Sequence, residues 1–265
     1  MPVPQRAVGD LRIAAKLRGR RSVIAGLRQQ GSLKALFPRV RGDALDCVFL
    51  NTAGGLTGGD RMRISVTAEA GSYAVLSSQA AERAYRAKSP EIARSDVTLK
   101  VQAGARIDWI PQETILFDSA ALSRRMVVDL EGDASVLLVE PVIFGRQAMG
   151  EDVRNLAFTD QWRVSRDGQL VFADAIRMTG DATARLSGNA TGQGARAMAT
   201  VLLASPLAAA RYGAVVTTGL SGASLISDDL LLVRVLARDG FDLRRQLIPI
   251  IAALRDVPLP RVWSL

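Results

Sequence analysis

Apolar and polar residues alternate with a period of two along most of the first two thirds of this chain, which commits it to half-buried β-strands. Met62, Ile64, Val66 and Ala68 alternate with Arg63, Ser65 and Thr67, and Val97, Leu99 and Val101 with Thr98 and Lys100. Leu11, Ile13, Ala15 and Leu17 follow the same rule, as do Leu170, Phe172 and Ile176. Each such run turns one face to a core. Between Trp162 and Met178 the pair Asp167-Gly168 separates two runs, and Asp-Gly supplies the positive φ angles of a tight hairpin.

A weak internal echo accompanies the alternation. Gly71, Gly104, Gly132 and Gly168 recur 33, 28 and 36 residues apart, each between the end of one strand pattern and the start of the next. The spacing suggests stacked β layers of solenoid or sandwich type, each burying its apolar face on its neighbour. Ordinary hairpins in an irregular sandwich are the alternative. The expected class is mainly β, with stacked antiparallel and mixed sheets of β-helix-like character and a few short helices. One helix is expected over residues 241–254, where Leu243, Leu247, Ile250, Ile251 and Leu254 form one apolar face around Pro249. A shorter one is expected over residues 79–88. No Gly/Ser linker divides the chain, so residues 1–265 read as a single domain.

Composition excludes several chemistries. The chain has no histidine and one cysteine, Cys47, so it carries no Ser-His-Asp or Cys-His catalytic arrangement, no His-ligated zinc and no internal disulfide. Cysteine scarcity fits a reducing cytoplasm, and Cys47, in the apolar run Cys47-Val48-Phe49-Leu50, is expected in the core. No run approaches the roughly 20 apolar residues that span a bilayer. The formal charge of +8 is confined to the first 45 residues, where ten basic side chains (Arg6, Arg12, Lys16, Arg18, Arg20, Arg21, Arg28, Lys34, Arg39, Arg41) face only Asp10 and Asp43. That end reads as a strand-forming part of the fold, not a targeting segment. Its charge suits a partner-docking face, a nucleic-acid arm or a solvated edge.

Two groups of residues stand out for chemistry. Residues 51–60, NTAGGLTGGD, place Gly54, Gly55, Gly58 and Gly59 within six positions. The segment lacks the Gly-Lys-Ser/Thr ending of a phosphate loop, leaving a sharp turn or an anion-binding nest of free amides. The carboxylates Asp60, Glu113, Asp118, Glu140 and Glu151 fall at the ends of expected strands, Glu113 and Glu140 in apolar company. A carboxylate so placed is either partnered or lines a polar cavity. Convergence of Glu113 with Asp60 or Glu140 in one pocket would instead suit a hydrolase.

Residues 51–60, residues 79–86 (QAAERAYR), residues 109–118 (WIPQETILFD) and residues 140–151 (EPVIFGRQAMGE) together resemble the UreD (UreH) family of urease accessory proteins. Residues 166–174 (RDGQLVFAD), 195–200 (ARAMAT) and 260–263 (PRVW) extend the likeness over nearly the whole chain. The resemblance implies a non-enzymatic maturation factor that joins UreF and the GTPase UreG on the urease apoprotein and helps deliver nickel, with no nucleic acid or membrane partner. It also implies a polar passage for nickel through the subunit, for which Asp60, Glu113, Asp118, Glu140 and Glu151 are the candidate acids. Gln112 and Arg146 belong to the matching motifs. Nickel(II) is held tightly by imidazole and thiolate, so a chain with no histidine and one cysteine is expected to pass nickel as transient cargo, with no high-affinity site and no stably bound cofactor. The apolar stretch over residues 195–216 is a candidate docking surface, with a buried strand pair as its alternative. A β protein binding nucleic acid through residues 1–45 is the rival function, although that segment offers one aromatic, Phe37, for base stacking.

Overall fold

Two stacked sheets realise the alternation. The computed structural model describes residues 5–39, 42–88 and 91–264. The chain runs through β1 (Val8–Arg18), β2 (Arg21–Gly31), β3 (Leu33–Leu36), β4 (Leu45–Asn51), β5 (Arg61–Ala68), β6 (Tyr73–Ser78), β7 (Glu82–Ala84), β8 (Ala93–Val101), β9 (Arg106–Trp109), β10 (Thr114–Leu116), β11 (Ala121–Leu130) and β12 (Ser135–Phe144). It continues through β13 (Leu156–Arg166), β14 (Gln169–Gly180), α1 (Ala182–Ser187), β15 (Ala197–Ala204), α2 (Ala208–Tyr212), β16 (Gly222–Ser227), β17 (Leu230–Ala237) and α3 (Gly240–Ala253).

One sheet has seven strands in the order β14-β13-β11-β8-β5-β1-β2. Its middle pairings, β1 with β5, β5 with β8, β8 with β11 and β11 with β13, are parallel. The other sheet follows β16-β17-β15-β12-β9-β6-β4-β3, with β10 beside β12 and β7 beside β10. Its β4, β6, β9 and β12 also pair in parallel. Parallel neighbours need a crossover between them, and here the opposite sheet supplies it: β5 leads into β6, β8 into β9 and β11 into β12. The turns between them stack. Gly71 donates its N–H to the Ala103 carbonyl at 3.1 Å, Gly104 to Asp133 Oδ1 at 2.7 Å and Gly132 to Asp167 Oδ1 at 2.9 Å.

The echo is therefore a β-helical coil for its first three glycines. The fourth is different: Asp167 (φ 50°) and Gly168 (φ 77°) form the expected hairpin between β13 and β14 within one sheet. Asp167 still joins the ladder of turns through its side chain.

Two apolar cores follow from the strand parity. Val136, Leu138, Val142 and Phe144 of β12 face the space between the sheets. Leu137 and Val139, one register on, face α3, whose Leu243, Leu247, Ile250 and Ile251 cover the outer side of the larger sheet. The α3 helix starts where the Asp239 side chain accepts from the Asp242 N–H at 2.8 Å, and it runs through Pro249 as the sequence predicts. Cys47 is buried in the inter-sheet core.

Two expectations need correction. Residues 79–88 contain no helix; Glu82–Ala84 pairs with β10 instead, and Leu56 of the glycine-rich segment bridges to Ala84. The helix-prone residues there are overridden by the backbone partners that the two neighbouring segments offer. The stretch 195–216 is not one docking face, because Ala197–Ala204 is a buried interior strand between β12 and β17. Among the described residues no helix is long and apolar enough to cross a membrane. Of the ten N-terminal basic residues, Arg41 lies outside the described residues.

Candidate functional site

Between the sheets lies a cavity of about 250 Å³, walled by Phe49, Leu56, Met62, Ile64, Trp109, Leu122 and Met126. Its charged lining consists of Glu82, Glu140 and Asp160 with Arg83, Arg124 and Arg125, and Gln112 is among its uncharged polar residues. Strand parity puts three charges in this apolar space. Arg124 occupies the inward register of β11 between Leu122 and Met126, Asp160 that of β13 between Phe158 and Trp162, and Glu140 that of β12 between Leu138 and Val142.

These groups satisfy one another. Arg124 Nη1 donates to Glu140 Oε2 at 2.5 Å and to Thr114 Oγ1 at 3.1 Å, while Nη2 donates to Asp160 Oδ2. Trp109 Nε1 donates to Glu140 Oε1 at 2.7 Å, and its ring stacks on Phe49 at 5.0 Å. One guanidinium between two carboxylates leaves an excess negative charge when both acids are ionised. Burial pushes the Glu140 carboxyl above its ordinary range and Asp160 adds to the rise, against the opposing pull of Arg124 and Trp109. Glu82, which accepts from Asn51 Nδ2 at 3.2 Å, is also raised by burial. Two buried donors of the lining, Arg124 Nε and Gln112 Nε2, have no hydrogen-bond partner among the described residues. The arrangement can hold a proton or attract a cation through oxygen donors, in a space with mainly apolar walls.

The five candidate acids separate. Glu140 lines the cavity, and so does Gln112, whose Oε1 accepts from Arg244 Nη1 at 2.5 Å. Glu113 pairs with Arg244 of α3 at 3.1 Å. Asp60 is a buried brace whose two oxygens accept from the Ala7 and Thr57 amides, each at 2.8 Å. Asp118 accepts from the Arg154 and Asn155 amides at 2.8 and 3.0 Å; burial opposes its ionisation, yet these hydrogen bonds, with Ser119 and Arg86, hold it below the usual carboxylate range. Hydrogen bonds from Arg146 do the same for Glu151, and the Arg146 guanidinium lies 4.3 Å from the centre of the Phe117 ring. Among the described residues no three His, Cys, Asp or Glu side chains are grouped to hold a metal ion. Of Glu113, Asp60 and Glu140, the acids that a hydrolase would bring into one pocket, only Glu140 lines the cavity, and each has its own partner.

The glycine-rich segment is a turn several of whose amides are used internally: Leu56 N–H donates to Arg83 O and Thr57 N–H to Asp60. At Gly55 a Cβ would meet the Tyr85 ring at 2.3 Å and Arg83 O at 2.7 Å, and at Gly58 it would meet Glu91 O at 2.6 Å. Close backbone approach explains these glycines. Gly59 has φ +89° and packs on Arg6, while Gly54 lies on the cavity lining.

Arg124 and Asp160 escape the motif-based reading because neither lies in a distinctive segment. Their signal is parity: each is a charge at a position where the alternation demands an apolar residue.

Comparison with known proteins supports the same family as the motifs. The family model described as UreD urease accessory protein matches residues 7–264. A urease accessory protein UreD from Roseobacter denitrificans is 45% identical over 262 residues, covering 98% of this chain and 96% of that protein. One from Rhizobium leguminosarum bv. viciae is 46% identical over 265 residues, covering 99% and 97%. With matching motifs, a mainly β coil and near-complete coverage at this identity, the chain belongs to the UreD family of urease accessory proteins, whose role is in urease maturation.

Proposed function

We propose that the chain acts as a non-catalytic adaptor and passage in urease maturation, joining UreF and the GTPase UreG on the urease apoprotein while nickel moves to the enzyme. The observation that carries this reading is the inter-sheet cavity, whose lining includes the carboxylates of Glu140, Asp160 and Glu82 without grouping them into a closed metal site. Nickel(II) is cargo here. The chain has no imidazole, and the thiol of Cys47 is packed in the core with its pKa pushed up to about 12 by burial and by Asp46. Oxygen donors hold nickel weakly and release it quickly, which suits transit and not storage. Asp60, Glu113, Asp118 and Glu151 serve in this reading as braces of the surrounding loops and of α3, leaving Glu140 as the transit acid among the five.

The test is deletion of the gene in a urease-positive host, followed by complementation. Loss of urease activity and of nickel bound to urease is expected, restored by the unmodified gene and only in part by Glu140→Gln at equal protein level. Fully active urease in the deletion strain would exclude the accessory role. Full nickel loading with Glu140→Gln, or stoichiometric nickel retained by the purified protein through extensive dialysis, would exclude the passage.

A further inference from the structure

The strand β2 closes the seven-stranded sheet, and its free edge lies on the most basic part of the chain. Among the described residues, the one backbone hydrogen bond that reaches β2 from outside its pairing with β1 is Ser22 N–H to the Asp43 carbonyl, at the start of the strand. Among the described residues, the rest of the edge has no strand beside it.

The two faces of β2 differ. Register with β1 sets Ser22, Ile24, Leu27 and Gln29 opposite Leu17, Ala15, Ile13 and Leu11, on the side that faces the second sheet. The ends of this row are clipped to that sheet: Ser22 Oγ accepts from Tyr73 N–H at 2.8 Å, and Gln29 Oε1 accepts from Ala35 N–H at 2.8 Å. Between the clips, Ile24 and Leu27 remain 39% and 43% exposed although they sit on the core-facing side. The opposite side is basic. Arg12 stands directly across from Arg28, and Arg18 across from Arg21. Like charges facing each other across a strand pair destabilise it. Arg12 has Asp10 as a partner at 3.0 Å, but among the described residues Arg18, Arg21 and Arg28 reach no carboxylate.

We infer that β2 receives an acidic strand from a partner protein, added along its free edge with acidic side chains beside Arg21 and Arg28 and apolar side chains over Ile24 and Leu27. An edge pairing supplies main-chain hydrogen bonds, and the alternation selects the partner. The matching sequence is therefore one that alternates acidic and apolar residues. A second copy of this chain is a poor occupant, because it would bring arginine against arginine. Nucleic acid is poorer too, since it would leave Ile24 and Leu27 uncovered with a single nearby aromatic, Phe37, to stack on.

The identity of the partner rests on the maturation reading, so the probes are purified UreF, UreG and urease apoprotein, each titrated separately against this protein, together with a mixed-sequence DNA duplex. For one of the three proteins, Arg21→Glu with Arg28→Glu should weaken binding by on the order of tenfold or more and flatten its salt dependence. Leu27→Ser should weaken the same interaction, whereas Arg177→Glu, on the opposite edge strand β14, should leave it unchanged. Unaltered affinity for all three proteins would overturn the proposal. So would tight duplex binding lost in the charge-reversed variant, self-association lost in that variant, or aggregation of the variant with partner affinity intact, which would make the charges mere edge protection. Failure of the unmodified protein to bind any of the three would instead overturn the maturation reading and, with it, the source of the strand.

Discussion

Replacing Arg124 by Met removes the one cation that pairs with both Glu140 and Asp160 while keeping a long side chain in the same inward slot of β11. All three side chains are buried, with 10%, 9% and 6% of their surface exposed, so solvent screens the uncovered charges little. Breaking a buried pair by deleting one partner costs about 3–5 kcal/mol, which for a chain of this length lowers Tm by roughly 6–20 °C. The loss should depend on pH, and its sign follows from Glu140. Its folded pKa stands above its ordinary 4.5, because burial and Asp160 outweigh Arg124 and Trp109. Proton binding therefore favours the folded state: this stabilisation is complete below about pH 4.5 and is lost as pH rises through the raised value. In Arg124→Met the lowering influence of Arg124 is gone and the pKa climbs further, so the deficit should be larger near pH 8 than near pH 5. Urea melts followed by tryptophan fluorescence at both pH values measure it. A deficit below about 1 kcal/mol, or one equal at the two pH values, would refute the electrostatic reasoning. Adding Glu140→Gln should recover part of the loss, since it removes the carboxylate left without a cation.

Gly55→Ala should destabilise by roughly 2–3 kcal/mol, because its Cβ would strike the Tyr85 ring and Arg83 O. Gly54→Ala, at φ +78° with nothing within 4 Å, should cost only about 1 kcal/mol, and the same melts separate the two. Cys47, buried and with its pKa pushed up to about 12, should not react with a disulfide reagent near pH 8 in the folded protein. Labelling should appear in denaturing urea; fast labelling of the native protein would show that the thiol is accessible.

Periodicity determined the mainly β class, the strands beginning at β1 and the amphipathic α3, and the Asp167-Gly168 pair determined the hairpin, because these depend on interactions a few residues apart. It also located the turns at Gly71, Gly104 and Gly132, where positive φ must be accommodated locally. The sequence left open whether those turns join hairpins or coils. That depends on which distant strand completes each ladder, and it was decided by the parallel pairing of β5, β8 and β11 in one sheet and of β6, β9 and β12 in the other. Residues 79–88 show the same limit: their helix-forming composition yields to strand pairing with β10. At the candidate site, Glu140 was legible as a carboxylate in apolar surroundings and Gln112 through the matching motif. The Arg124 that pairs with Glu140, and the Asp160 that shares this guanidinium, were not, since they come from strands that are neighbours only after the coil closes. Asp60, Glu113, Asp118 and Glu151 resemble Glu140 in residue type and context, and tertiary structure alone distinguishes a carboxylate that braces a loop or helix from one that faces the cavity. Burial and partnering are set by the packing of both sheets, which no local pattern encodes.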